Sequence, residues 1–352
     1  MSRRVLVVRL DSMGDVLICG PAVRAVAASG AEVSMLVGPN GAAAARLLPG
    51  VCAVLVWNCP WIAADPPPVA EAGVNRLIEL VRDGAFDEAI VLTSFHQSAL
   101  PTALLLRLAG IARIAACSTD YPGALLDQRI PEPAALPEPV RMSQLVAAAG
   151  YPLPARDSGA LAVIATLPDP PPGLPPDYLV VHAGSAAPAR TCSPEVWAGI
   201  AASLSRAGWQ LVLTGGAAEA GVASMAAAAA GSAWDLSGQL ELDQLATVLR
   251  GARAVVVGNT GPAHLAAAVG TPVASLFAPV VPSLNWAPFT DRLVLLGDQQ
   301  AGCRGSRARV CPVAGHPCLD SITGDQVLAA LVRLGVYPAS ADAGAVVPEV
   351  VG

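Results

Sequence analysis

The chain has 352 residues, of which 54% are hydrophobic and 14% charged, with a formal net charge of −6. That length suits two α/β domains of average size, and the composition excludes a disordered chain, which would be charge-rich and poor in apolar residues. Net acidity, with no basic run beyond Ser2-Arg3-Arg4, argues against a nucleic-acid surface.

Val5–Leu10 reads as a buried strand, followed by a turn at Gly14-Asp15 and an apolar helix over residues 16–28. Strands are expected at 32–37, 51–57, 88–94 and 113–117, with helices at 41–48, 71–82 and 98–109 between them. Strands separated by helices imply parallel sheets with right-handed crossovers. The run Leu167-Pro168-Asp169-Pro170-Pro171-Pro172-Gly173-Leu174-Pro175-Pro176 fits neither a helix nor a central strand and reads as a linker.

The alternation then restarts. Strands are expected at 178–182, 210–214, 254–258 and 272–277, with helices at 194–207, 217–230, 242–250, 262–269 and 325–334. Ser193 is placed to cap the helix that starts at Pro194. The predicted fold class is α/β, with two facing Rossmann-like domains. Residues 1–166 form the first, 167–176 the linker, 177–335 the second, and 336–352 a loose tail. Ligands of such sheets lie at the carboxyl ends of the strands, which for facing domains means the gap between them.

The sequence contains no Lys; all 21 basic residues are Arg. Schiff-base chemistry and the Walker phosphate loop both need a Lys amine and are excluded. Phosphate contacts are left to Arg, His, hydroxyls and backbone amides. No uninterrupted apolar stretch reaches 18 residues, and Asp11 follows the first strand closely, so neither a transmembrane helix nor a signal peptide is expected. The reading is a cytoplasmic protein whose high hydrophobicity leaves peripheral membrane contact open.

Four turns carry candidate chemistry. The first is Arg9-Leu10-Asp11-Ser12-Met13-Gly14-Asp15-Val16, where a strand meets a helix. It lacks a dinucleotide fingerprint and instead places two carboxylates at a strand end. Asp15, in the first helical turn, is favoured in its ionised form, so it can either take a proton from a sugar hydroxyl or simply cap the helix. The second is Gly258-Asn259-Thr260-Gly261-Pro262-Ala263-His264. Gly261 lets the backbone approach a ligand, Pro262 suits the first helical turn, and Thr260, His264 and the free amides form a diphosphate seat; the bland alternative is a tight turn with a packed His. The third comprises Gly184-Ser185 with Arg190, and Gly215-Gly216 with Glu219. Arg190 is a phosphate partner or a solvated loop residue, and Glu219 an acceptor for sugar hydroxyls or a favourable helix start. The fourth is Cys303, Cys311, His316 and Cys318. Its irregular spacing without a CxxC pair favours reduced thiols over zinc, so no metal is assigned.

These residues resemble the ADP-heptose:lipopolysaccharide heptosyltransferase family, glycosyltransferase family 9. The likeness rests on Leu10-Asp11-Ser12-Met13-Gly14-Asp15 with Gly20-Pro21-Ala22, and on the stretch from Thr260-Gly261-Pro262-Ala263-His264 through Gly270-Thr271-Pro272. Leu276-Phe277-Ala278-Pro279, Trp286-Ala287-Pro288, Cys311-Pro312 and His316-Pro317-Cys318-Leu319 extend it, so that it spans residues 3 to 335. The resemblance implies the glycosyltransferase-B fold and an inverting, metal-independent transfer with Asp15 as general base. It implies donor contacts from Thr260, Gly261, Pro262, His264 and Arg190; the reading of the turns adds Gly184, Ser185, Gly215, Glu219 and Asn259 on the donor side and Asp11, Ser12, Met13 and Gly14 on the acceptor side. No cofactor is implied, since the nucleotide sugar, ADP-heptose in that family, is a co-substrate. The acceptor is a glycan, a lipid-linked sugar or a small molecule. The chain departs from the family at Asn259, usually Asp, at Arg190, usually Lys, and at Thr191-Cys192-Ser193-Pro194, which replaces a Trp-Pro. Two other functions compete: a non-catalytic nucleotide-sugar-binding protein, and a nucleotide-sugar epimerase or hydrolase of the same double-Rossmann type.

Overall fold

The computed structural model describes residues 2–63, 65–133 and 135–338. The tail expected over 336–352 therefore lies outside the described residues from 339 onward. The chain divides into two compact units: Met1–Thr166 with Leu284–Phe289, and Leu167–Ser283 with the chain from Thr290. The Pro-rich stretch clusters with the second unit, where Thr247 Oγ1 donates to the Pro168 carbonyl at 2.8 Å. Residues 284–289, which sequence order places in the second domain, cluster with the first, and Asn285 Nδ2 donates to the Leu136 carbonyl at 2.8 Å.

The first unit runs β1 (Arg4–Arg9), α1 (Met13–Leu17), α2 (Gly20–Ala27), β2 (Glu32–Val37), α3 (Ala42–Leu47), β3 (Val51–Val56), α4 (Glu71–Asp83), β4 (Glu88–Val91), α5 (Leu100–Leu108), β5 (Arg113–Cys117), β6 (Gln128–Ile130) and α6 (Glu138–Ala148). Its strands form one parallel sheet in the order β3-β2-β1-β4-β5-β6. The second unit runs β7 (Tyr178–His182), α7 (Pro194–Arg206), β8 (Gln210–Thr214), α8 (Ala220–Ala230), β9 (Ala233–Asp235), α9 (Leu242–Gly251), β10 (Ala254–Gly258), α10 (Gly261–Ala268) and β11 (Val273–Leu276). It is completed by β12 (Leu293–Leu296), α12 (Pro317–Asp320) and α13 (Gly324–Arg333), while the short α11 (Ser283–Trp286) crosses the junction at 283/284 and β12 closes the sheet β12-β11-β10-β7-β8-β9. Counted within each unit, both sheets have the doubly wound order 3-2-1-4-5-6.

Near-continuous apolar runs explain the strand positions. Central parallel strands are covered on both faces, and β1 after Arg4, β7 and β10 are wholly buried. Edge strand β3 is half-exposed instead. The second core collects Trp197 of α7, Leu211 and Leu213 of β8 and Leu331 of α13. Ser193 caps α7 as the sequence suggests, its Oγ accepting from the Val196 amide at 3.4 Å. Among the described residues, no helix is long and apolar enough to cross a membrane.

The helix expected over 16–28 is two helices. Pro21 lacks the N–H that would bond the Leu17 carbonyl, so α1 closes at Ile18 and α2 starts afresh with Pro21 in its first turn. The stretch expected to be helical from Ala217 opens as a 3-10 turn, and α8 proper begins at Ala220.

Candidate functional site

In a doubly wound sheet the loops diverge where the strand order reverses, leaving a crevice at the carboxyl ends of the two central strands. In the first unit that point lies between β1 and β4. Arg9, the last residue of β1, is fully buried there. Its Nη2 donates to Asp15 Oδ1 at 3.0 Å and to Ser94 Oγ, beyond β4, at 2.9 Å. Its Nε stands 2.8 Å from Asp11 Oδ2 as an ion pair rather than an aligned hydrogen bond. Its Nη1 lies 3.8 Å from Glu138 Oε2 of α6. Burial opposes the Arg9 charge, but Asp11 and then Asp15 hold its pKa above the ordinary guanidinium value.

Asp15 makes the helix-start contacts that one of its two sequence readings expects. Its Oδ2 accepts from the Ser12 hydroxyl at 2.6 Å and the Ser12 amide at 3.3 Å, fastening the first turn of α1, while the side chain keeps 19% of its exposure. Asp11 Oδ1 accepts from Gln97 Nε2 at 2.6 Å, and Gln97 Oε1 in turn accepts from the Ser94 amide at 3.0 Å. Burial pushes the Asp11 carboxyl above its usual value, against the pull of Arg9. Cys19 lies close enough to feel these charges; burial pushes its thiol up to about 12, so it is protonated at neutral pH. Met13 is half-buried and Gly14 buried within α1.

In the second unit the order reverses between β7 and β10. Gly184, after β7, has φ +138°, and a Cβ there would stand 2.3 Å from Glu219 Cγ. Side chains at Gly215 and Gly216 would also meet Glu219, at 3.2 and 2.5 Å. A side chain at Gly258 would stand 3.0 Å from the Arg190 carbonyl and 3.7 Å from that of Gly184. The structure thus gathers Gly184, Arg190, Gly215, Glu219 and Gly258 at one place, the missing side chains letting Glu219 and the Arg190 carbonyl pack close to the backbone. Ser185 is used locally, its hydroxyl accepting from the Ala187 amide at 3.3 Å. The Ala189 amide donates to the Arg309 carbonyl at 2.9 Å, tying the loop that carries Arg190 to the segment beyond β12.

The helix-start motif follows directly from β10. Thr260 is extended at the N-cap of α10, its side chain makes no capping bond, and Pro262 sits in the first turn. Thr260 and Gly261 are half-buried, while Asn259 and His264 are buried. The Asn259 Nδ2 group has no hydrogen-bond acceptor among the described residues. Its hydrogens are suited to an acceptor oxygen brought by a ligand. His182, closing β7, has Nδ1 2.9 Å from Thr214 Oγ1, and burial pushes its pKa down to about 4.

In the cysteine-rich loop, Cys303 and Cys318 are buried and Cys311 is half-buried. Burial pushes the Cys318 thiol up to about 11. No group of three or more His, Cys, Asp or Glu among the described residues is placed to hold a metal ion.

Sequence reading gave no role to Ser94, Gln97, Glu138, Arg141 or His182, nor to Arg9 and Gly258, although these two open motifs. Arg9 carried a signal: it is an ionic side chain ending an otherwise apolar central strand. Ser94 and Gln97 carried none, because β1–β4 pairing brings them there across more than eighty residues.

Two doubly wound sheets, one with a carboxylate-bearing turn and the other with a glycine-lined helix start, are the frame of a glycosyltransferase of the B fold. The sequence model described as glycosyltransferase family 9 (heptosyltransferase) matches residues 74–316. Lipopolysaccharide heptosyltransferase 1 of Pseudomonas aeruginosa is 31% identical over 311 residues, covering 81% of each chain. The chain belongs to glycosyltransferase family 9 and is a glycosyltransferase. Among solved structures, a family 9 glycosyl transferase of Veillonella parvula superposes with a TM-score of 0.74 at 15% identity, covering 95% of this chain and 98% of its own. E. coli heptosyltransferase WaaC with ADP gives 0.68 at 21% identity, with 94% and 99% covered.

Proposed function

We propose that this enzyme moves a heptose from ADP-heptose to an acceptor hydroxyl with inversion, Asp15 acting as general base. The observation that carries the reading is the Asp15 carboxylate at the sheet's reversal point. Arg9 and Ser12 orient it while part of it stays open to solvent. A carboxylate so held can accept the proton of an acceptor hydroxyl as its oxygen attacks the anomeric carbon. The bond from that carbon to the diphosphate breaks, and the leaving oxygen takes the electron pair.

The second unit supplies the donor side in this reading. Thr260, His264, Arg190 and the free amides of α10 meet the charge that grows on the departing diphosphate. Gly184, Gly215 and Gly216 let the Glu219 side chain pack against the strand ends, and Asn259 offers Nδ2 hydrogens to one of the diphosphate oxygens. The donor assignment is supported by family membership and by the P. aeruginosa relative's name. The acceptor is a glycan, lipid-linked or small-molecule hydroxyl, and the site of action is the cytoplasm, with the enzyme resting against a membrane when the acceptor is lipid-linked.

The test is ADP release from ADP-heptose with truncated lipopolysaccharides and small glycosides as acceptors, for wild type and Asp15→Asn. The substitution should abolish acceptor-dependent release while thermal stabilisation by ADP survives. Undiminished transfer by Asp15→Asn rejects the base, and stabilisation only by a GDP- or UDP-sugar rejects the donor.

A further inference from the structure

The buried charges behind Asp15 form a chain that neither the family assignment nor the reaction itself accounts for. A guanidinium presents its N–H groups in a rigid planar fork. Each nitrogen of Arg9 faces a carboxylate from a different part of the first unit. Nε meets Asp11 in the turn after β1, Nη2 meets Asp15 in α1, and Nη1 faces Glu138 in α6. Ser94 Oγ beyond β4 and Met142 Sδ in α6, 3.9 Å from Nη1, complete the enclosure.

Glu138 is itself fully buried and is gripped by Arg141, with Nε to Oε1 at 2.9 Å and Nη2 to Oε2 at 3.2 Å. Arg141 is held further by the Glu132 carboxylate at 2.7 Å and by the Thr93 carbonyl. Charges of alternating sign thus run from Glu132, 29% exposed, through the buried Arg141, Glu138 and Arg9 to two further acids that see solvent, Asp15 at 19% and Asp11 at 13%. Breaking one member of such a chain strands a buried charge, so the arrangement resists rotation of the fork.

We propose that Arg9 is a positioning residue: its guanidinium, braced by the Glu138–Arg141 pair, locks Asp15 as a carboxylate in the one orientation that serves the reaction. The inference rests on Asp15 being the base. Arg9 touches no reactant and acts only through that side chain. Its charge should hold Asp15 ionised, and its fork should hold it aimed, since a single ammonium cannot serve Asp11 and Asp15 in the same way. Other groups bearing on the pair include the Asp11, Glu138 and Arg141 charges, the Cys19 thiol, and the neutral Ser12, Ser94 and Gln97.

The test compares Arg9→Gln, Arg9→Lys and Glu138→Gln by the pH profile of kcat/KM and by kcat and donor KM separately. In Arg9→Gln, loss of the cation should move the acid limb up by about one pH unit or more. Glu138→Gln, which removes a competing anion, should move it the opposite way or leave it in place. Arg9→Lys keeps the charge but not the fork, and should lower kcat by about tenfold or more with donor KM changed less than twofold. A folded Arg9→Gln enzyme with an unmoved acid limb overturns the proposal, as does wild-type kcat in Arg9→Lys, which decides the matter alone if Arg9→Gln does not fold. Full activity in Asp15→Asn would instead remove the base assignment itself, so the two failures are distinct.

Discussion

Arg9 and His182 hold equivalent places in the two units. Each is the last residue of the first strand, each lies next to the point where strand order reverses, and each is buried. Arg9 keeps its charge because carboxylates from three segments surround it, whereas His182 faces the Thr214 hydroxyl and burial drives its pKa down to about 4. One topology therefore yields opposite electrostatics. The first unit concentrates fixed charge beside a solvent-facing acid. The second keeps side chains off its strand-end glycines, where Glu219 packs, and sets a neutral His182 and the Asn259 amide beside the backbone. Charge suits the control of a proton, and exposed amides suit the reception of an anion.

The contrast breaks first if charge matters equally on both sides. Asp15→Asn should cost about 10² to 10⁴ in turnover and spare ADP binding. Arg190→Ala should lower kcat on the order of 10²-fold by weakening the leaving group's stabilisation, with the acid limb of the pH profile unmoved. An acid-limb shift in Arg190→Ala would show that the two charge systems are coupled.

Smaller effects test the cleared seat itself. Gly184→Ala puts a side chain at φ +138° and against Glu219, so unfolding stability should fall by about 2 kcal/mol and ADP affinity with it; denaturant midpoints and ADP titration report both. His182 has a folded pKa below its ordinary value of 6.5. Between about 6.5 and about 4 the unfolded chain binds more protons than the folded one, so stability falls as pH falls. The slope should approach about 1.4 kcal/mol per pH unit, and His182→Asn should flatten it in pH-dependent melts. Ser193→Ala should cost about 1 kcal/mol through the lost cap and leave kinetics unchanged.

The sheets were largely legible because their central strands are near-continuous apolar runs rich in Val and bounded by turn residues. What escaped was short or disguised. The three-residue strands β6 and β9 give too little pattern to read. α6 was hidden because Pro131, Pro133, Pro137 and Pro139 make its approach look like loop, although Pro139 merely occupies its first turn. Missing α6 meant missing Glu138 and Arg141, and so the reason a buried Arg can end β1. The motif turns were legible in kind, since Gly-Asp and Thr-Gly-Pro sit where strand gives way to helix. The side chains that gather around each turn were not, because which ones arrive there depends on which strands pair.

The excursion of residues 284–289 into the first unit has a practical corollary for anyone dissecting the enzyme. Severing the chain near residue 166 would not release two self-sufficient halves. The amino-terminal fragment would lack the segment whose Asn285 amide caps the Leu136 carbonyl, and the carboxyl-terminal fragment would carry that segment without its seat. Split-enzyme reconstitution or domain exchange within the family should therefore transfer 284–289 together with the first unit, grafted as a loop, rather than follow the linear order of the gene.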